Sequence, residues 1–104
     1  MSCQNVWRNL KEMMEFPKEG IFSKVLASTG KAHYTLMCLS KGTKIDTHTS
    51  TKNGCVQCLF GKGLFTLFDE PIPLREGVFI AMPAHAPHAL EAEENLAILL
   101  CLHE

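Results

Sequence analysis

The sequence predicts an all-β protein of antiparallel strands, and three observations support this. From residue 21 onward, short apolar runs rich in aromatic and β-branched residues follow one another through the 104-residue chain. Turn residues separate them at regular intervals, for example Gly30, Gly42, Asn53-Gly54 and residues 83–87. No helical pattern intervenes between these runs. Such a chain is typical of a sandwich or barrel.

The first residues carry the helix-like pattern of the chain. Apolar residues spaced three and four apart occur within residues 1–16, and they are Val6, Trp7, Leu10, Met13 and Met14. One interpretation is a helix capped by Asn5 and ended by Pro17. The other is an arm that lies extended along the sheet of another subunit.

Nine strands are predicted after Gly20. They cover residues 21–26, 33–39, 44–48, 55–60, 64–68, 71–74, 78–82, 88–92 and 96–102. The last run, LAILLCL, is apolar on both faces, which predicts a strand that is buried or covered by a partner. We expect residues 1–19 to form an arm and residues 20–104 to form a single barrel domain.

Composition excludes several classes of partner. A formal net charge of -1 gives no broad basic surface, so nucleic acid is not an expected partner. The sequence has no apolar run near the roughly 18 residues of a membrane span, and the residues MSCQNVWRNLKE lack the apolar h-region of a signal peptide, so neither a span nor a signal peptide is expected. The odd number of cysteines suits buried thiols in a reducing compartment, so we expect a cytoplasmic protein; they are Cys3, Cys38, Cys55, Cys58 and Cys101.

Two short motifs resemble those of the cupin superfamily. The first has the pattern Gly, five residues, His, one residue, His, three or four residues, Glu, six residues, Gly. Its matching residues here are Gly42, His48 and Gly61. Ser50 stands where the second histidine belongs, and Gly54 stands at the glutamate, or Cys55 if the longer gap applies. The closing glycine fits the shorter gap.

The second motif has the pattern Gly, five residues, Pro, one residue, Gly, two residues, His, three residues, Asn. Gly77, Pro83 and His88 match it, while His85 replaces the glycine and Ala92 the asparagine. The resemblance runs from about residue 20 to the C-terminus. It implies a double-stranded β-helix, or jelly-roll, cupin barrel preceded by a short helical or extended arm.

The resemblance also implies a metal site. In metal-binding cupins, both histidines and the glutamate of the first motif and the histidine of the second are the ligands. His48 and His88 are therefore the candidate metal ligands, and the implied cofactor is a divalent transition metal such as Zn, Fe, Mn, Ni or Cu. With two imidazoles retained, we expect a reduced site that binds metal weakly.

Four further residues are candidates for the pocket or for supplementary ligands. Ser50 is one strand period from His48, and His85 lies in the turn before His88. Cys55 is a soft thiolate donor if it turns inward, and Gln57 shares its face. Cys58 lies three residues after Cys55 and so points to the opposite face of a strand, which makes buried small side chains the simpler interpretation of both.

Two functions remain open. One is a metal-dependent small-molecule enzyme of the oxygenase or isomerase type, in which a metal on His48 and His88 polarises a small oxygen-bearing substrate. The other is a metal-free barrel that binds a small ligand as a carrier or sensor, or has a structural role. In either case we expect a homodimer, because Trp7 and the LAILLCL run provide apolar surface beyond what a small barrel buries.

Overall fold

In a computed structural model, residues 7–104 form one helical turn and nine β-strands. The helix α1 spans Leu10–Met13, and the strands are β1 (Ile21–Ser28), β2 (Ala32–Leu39), β3 (Lys44–His48), β4 (Asn53–Phe60), β5 (Lys62–Leu67), β6 (Glu70–Arg75), β7 (Phe79–Met82), β8 (His88–Ala92) and β9 (Leu96–His103). Each strand predicted from the sequence is present, with ends that differ by two residues or fewer.

The strands form two antiparallel sheets that pack face to face. The five-stranded sheet has the order β1-β2-β9-β4-β7, and the four-stranded sheet has the order β3-β8-β5-β6. Leu39, Val56 and Ile98 from the first sheet meet Phe65 and Leu90 from the second in one buried cluster. This arrangement confirms the predicted all-β jelly roll.

The segment before β1 packs against the outer face of the five-stranded sheet, the face that is turned away from the four-stranded sheet. A second buried cluster of Leu36, Cys38 and Ala97 lies on that face, and Met13 and Phe16 pack against it. The arm therefore covers the sheet of its own chain. It also buries one face of β9, while the other face lies in the main core.

Helical structure in the arm is shorter than the spacing of its apolar residues predicts. Within the described residues it is confined to α1, whose N-cap is Asn9. The Asn9 Oδ1 accepts hydrogen bonds from the backbone N–H groups of Lys11 (3.0 Å) and Glu12 (3.4 Å). The predicted cap, Asn5, lies outside the described residues. A single turn fits the physics, because short helices gain little from propensity alone and the arm is held by packing.

One edge of the five-stranded sheet extends beyond the core. On β1, Phe22 and Leu26 pack with the arm, so the alternate residues Ile21 and Val25 face the other way. These two side chains are 41% and 56% exposed, although they lie beside β2, whose Leu39 is fully buried. The apolar inner face of β1 is therefore left uncovered in the single chain.

The turn between β4 and β5 requires glycine at Gly61. Its φ is +90°, and a Cβ atom there would overlap the carbonyl oxygen of Asn95. The closing glycine of the first motif thus has a steric cause in this chain. Within residues 7–104, no helix is long and apolar enough to cross a membrane.

Candidate ligand-binding site

A cavity of about 250 Å³ lies between the two sheets, and we call it the barrel cavity. Its lining residues come from seven strands: Met37, Ile45, His48, Val56, Phe65, Met82, His88, Leu90, Ile98 and Leu100. Eight of the ten are apolar, so the polarity of the cavity is concentrated in its two histidines. His48 is exposed and His88 is half-buried, which places the pair where the cavity meets solvent.

The two histidines are brought together by strand pairing. His48 is the last residue of β3 and His88 the first of β8, and the two are direct partners across the antiparallel pair. An irregularity between Ile45 and His48 shifts the register and sets this pairing. The ring centroids are 4.1 Å apart with an angle of 62° between the ring planes. The structure therefore unites two residues that are 40 positions apart in the sequence.

Backbone carbonyls orient both imidazole rings in the same way. The Nδ1 of His48 lies 2.9 Å from the carbonyl oxygen of Asp46, and the Nδ1 of His88 lies 2.9 Å from that of Ala86. A carbonyl oxygen can only accept, so each Nδ1 carries the proton and donates it. In the neutral ring, Nε2 then holds the lone pair and is the atom that can bind a metal or accept a hydrogen bond.

A core aromatic residue, Phe65, packs against the ring of His88. The ring of Phe65 stacks on the His88 ring, with centroids 5.9 Å apart and planes 3° from parallel. Phe65 itself is buried, so its position is set by the core. His88 is therefore held both by a hydrogen bond at Nδ1 and by contact with a fixed aromatic surface.

Ser50 and His85 meet each other beside the histidine pair, and neither is among the residues that line the barrel cavity. The backbone N–H of His85 donates to the Ser50 carbonyl oxygen at 2.7 Å, and the Ser50 Oγ accepts from the N–H of Lys52 at 3.1 Å. His85 has a φ of +68°, which explains why the second motif has glycine at this position. Here the contact between the two residues joins the loops on which they lie.

Cys55 and Gln57 are directed away from the histidine pair. Val56 lies between them on β4 and lines the barrel cavity, so its two neighbours project from the opposite face of the sheet. Gln57 is exposed and Cys55 is partly exposed. The interpretation of these two residues as supplementary ligands is therefore corrected, since neither can join His48 and His88 without a change of register.

Gly54 faces inward, at the position where the first motif has glutamate. A Cβ atom at Gly54 would lie 2.9 Å from the Cδ2 of Leu102, 2.9 Å from the carbonyl oxygen of Cys101 and 3.1 Å from the Cε of Met82. The space for a carboxylate at this position is thus filled by two apolar side chains and a backbone oxygen. The motif glutamate is replaced by glycine at this position, and neighbouring atoms occupy the space that its side chain would need.

The remaining residues do not fit the metal centre that the family resemblance implies. Within residues 7–104, no group of three or more His, Cys, Asp and Glu side chains is placed to hold a metal ion. His48 and His88 supply two imidazoles, whereas a transition metal usually takes three or more protein ligands. These residues therefore form at most a two-imidazole site, which lacks the third protein ligand of a usual transition-metal centre.

Comparison with known proteins finds similar solved structures. No model of a known protein family matches the sequence, and no curated protein does. A conserved protein of unknown function from Streptococcus pyogenes is 30% identical, with a TM-score of 0.86, over 94% of this chain and 86% of that protein. A cupin 2 conserved barrel domain protein from Leptotrichia buccalis is 34% identical, with a TM-score of 0.87, over 93% of this chain and 47% of that protein.

A third solved structure shares the fold at lower identity. It is a cupin superfamily protein from Desulfitobacterium hafniense, 20% identical over 90% of this chain and 86% of that protein, with a TM-score of 0.85. Its likeness extends over both sheets, as do the likenesses of the two closer structures. The comparisons confirm the resemblance predicted from the two motifs, and the chain is a small cupin domain.

Proposed function

We propose that this cupin binds a small, largely apolar molecule in the barrel cavity and holds its polar group with His48 and His88. On this proposal the same pair binds a divalent transition metal only weakly. The observation that carries the proposal is the matched hydrogen bonding of the two rings, in which both Nδ1 atoms donate to backbone carbonyls and both Nε2 atoms are left as the functional nitrogens.

The dimensions of the barrel cavity favour a small ligand. Its volume of about 250 Å³ is below the range of about 300 to 1,000 Å³ that is usual for drug-sized molecules. Its wall is apolar apart from the histidines, with Met37, Met82 and Leu100 among the lining residues, and it offers few partners for the many polar groups of a sugar or a nucleotide. The cavity therefore suits a compact molecule with one polar or anionic end.

The histidine pair can serve that polar end in two protonation states. Neutral imidazoles present two lone pairs, which suit a metal ion or a hydroxyl donor. A protonated imidazole donates from Nε2 and attracts a carboxylate. A metal on two imidazoles needs water or the small molecule itself to complete its coordination, so we expect metal affinity to be low without such a co-ligand.

A metal-free binding protein is the second candidate, and the packing around Gly54 favours it. Met82 and Leu102 fill the glutamate position, so a carboxylate could be restored there only with repacking. A cupin of this kind would bind its ligand through the apolar wall and through hydrogen bonds to the histidines. Fold alone does not decide between carrier, sensor and enzyme, because one fold hosts many activities.

Titration with two probes tests the proposal. Zn²⁺ represents the metal and benzoate represents a small anion with an apolar body, and each is followed through the ring nitrogen resonances of the histidines. We expect both probes to shift the Nε2 signals of His48 and His88, and elemental analysis of protein purified without chelator to show substoichiometric metal. The double variant His48→Ala/His88→Ala should lose the response to both probes.

His33→Ala is a matched control. His33 is an exposed histidine whose Nδ1 lies 3.0 Å from the Ser28 Oγ, away from the barrel cavity. This variant should bind both probes as the unmodified protein does. Uptake of Zn²⁺ that survives in the double variant would refute the metal site. Benzoate binding that survives there while Zn²⁺ binding is lost would support the apolar cavity and reject the role of the histidines in holding the anion.

A further inference from the structure

Four residues form a row across the outer face of the five-stranded sheet. Strand pairing places Tyr34 of β2 opposite Cys101 of β9, Cys101 opposite Cys55 of β4, and Cys55 opposite Ala81 of β7. All four project from the face opposite the barrel cavity, since Val56 and Leu100 on the same two central strands line that cavity. Two cysteines 46 positions apart are thus direct cross-strand neighbours.

Direct antiparallel partners have the separation that a disulfide needs. Opposed residues on antiparallel strands have Cα atoms about 4.5 or about 5.5 Å apart. Disulfides bridge Cα atoms about 4.4 to 6.8 Å apart, so both kinds of pair fall within the range. In the structure both cysteines are free thiols. Closing the bond therefore needs rotation of two side chains and no change in strand pairing.

The two thiols differ in their surroundings. Cys55 is partly exposed, and its other neighbour across the sheet is the small and exposed Ala81, which leaves it open to solvent. Cys101 is 9% exposed and lies between Cys55 and Tyr34. Burial first, and then the neighbouring Cys55, raises the pKa of the Cys101 thiol, while a hydrogen bond with the Tyr34 side chain acts in the opposite direction. Cys101 is therefore a poor nucleophile at neutral pH, and Cys55 is the more accessible of the two thiols.

We propose that Cys55 and Cys101 form an oxidisable dithiol, which hydrogen peroxide converts to a disulfide across β4 and β9. The Cys55 thiolate attacks one oxygen of the peroxide, the O–O bond breaks, and Cys55 becomes a sulfenic acid while the released hydroxide takes up a proton to leave as water. The Cys101 sulfur then attacks the sulfenic sulfur. The S–S bond forms, the S–O bond breaks, and a second water leaves with the Cys101 proton. In total the thiols lose two electrons and two protons, and the peroxide is reduced to two waters.

The bond would act on the two strands that form one wall of the barrel cavity. Val56 and Leu100 are direct partners on β4 and β9, one residue along from the cysteine pair, and both line the cavity. A disulfide would fix the local spacing of these strands on the outer face while the cavity lies on the inner face. The dithiol does not involve His48 or His88. The result of its test therefore does not depend on whether the proposed ligand site is correct.

Peptide mapping of the full chain after oxidation tests this inference. The reduced protein is treated with about one equivalent of hydrogen peroxide, remaining thiols are alkylated, and trypsin releases residues 53–62 and residues 76–104. We expect these two peptides to be linked by a bond within one chain, with the loss of two hydrogen atoms. The midpoint of thermal unfolding should rise by roughly 5 °C or more over the reduced protein, because the bond closes a long loop.

Two kinds of variant make the assignment unique. Residues 53–62 contain both Cys55 and Cys58, but Cys58 faces the main core. Cys58→Ala should therefore keep the link, while Cys55→Ser and Cys101→Ser should each abolish it. A link that is lost in Cys58→Ala, a link only between chains, or Cys55 that accumulates as sulfenic or sulfinic acid without a link would overturn the proposal. Fragmentation of the linked peptides from the unmodified protein assigns the bond to Cys55 or to Cys58, even if a variant fails to fold.

Discussion

His48 and His88 lie directly opposite each other on antiparallel strands, with their ring centroids 4.1 Å apart. Each ring donates from Nδ1 to the carbonyl of the residue two positions before it, Asp46 in one case and Ala86 in the other. On the proposed function, the two Nε2 atoms of this pair would bind one polar group. This relationship gives the candidate site its chemistry, because the rest of the cavity wall is apolar.

Opposite pH dependences are expected for the two probes. Ligation of Zn²⁺ requires unprotonated Nε2 on both rings, so protons compete with the metal and its affinity should rise with pH. Donation to benzoate requires a proton on Nε2, so benzoate affinity should fall as the pH rises. Calorimetric titration at several pH values measures both. If both affinities changed in the same direction with pH, the proposal that His48 and His88 bind both the metal and the anion would be contradicted.

Gly54→Ala should destabilise the protein by about 1 to 3 kcal/mol, because its Cβ meets a backbone oxygen at 2.9 Å that cannot move easily. Gly30→Ala is the matched control, since a Cβ at Gly30 meets no atom of the described chain within 4 Å. Urea denaturation of the two variants gives the comparison. Equal stability of both variants would show that the space at the glutamate position is not closed.

Alkaline pH should destabilise the protein in part through its buried thiols. Burial raises the pKa of Cys58 and of Cys38 above the ordinary value of 9.0. The folded state holds these protons more tightly than the unfolded state, so their contribution is complete below the unfolded pKa and is lost as the pH rises through the folded pKa. The free energy of unfolding should fall above about pH 9, and less steeply in Cys58→Ala. An unchanged slope in that variant would exclude a contribution from Cys58.

A homodimer through the uncovered face of β1 is expected, because Ile21 and Val25 present apolar side chains at a sheet edge. Val25→Glu should shift the mass in light scattering at micromolar concentration from twice the chain mass to one chain mass. Phe79→Glu serves as the control, since Phe79 is 62% exposed on β7, the opposite edge strand. A monomer in the unmodified protein would refute the dimer, and dissociation by Phe79→Glu alone would move the interface to the other edge.

The sequence by itself determined the strand content and the position of the candidate site. Strands are recognisable because glycine, proline and asparagine interrupt apolar runs at short intervals, and the same residues end β4 at Gly61 and frame the turn before His88. Motif spacing identified His48 and His88, and the jelly roll brought them together. The division into an arm of residues 1–19 and a barrel of residues 20–104 stays a prediction.

Only the tertiary structure decided which face of β4 is inside. Alternation along a strand separates Cys55 and Gln57 from Gly54 and Val56, but both sets contain small or apolar residues, so the pattern does not say which set meets the core. Val56 is buried against the four-stranded sheet, which fixes the face of β4 that carries Val56 as the inner one. Register across β9 then placed Cys101 beside Cys55, a neighbour that lies 46 residues along the chain and that spacing within one strand cannot indicate.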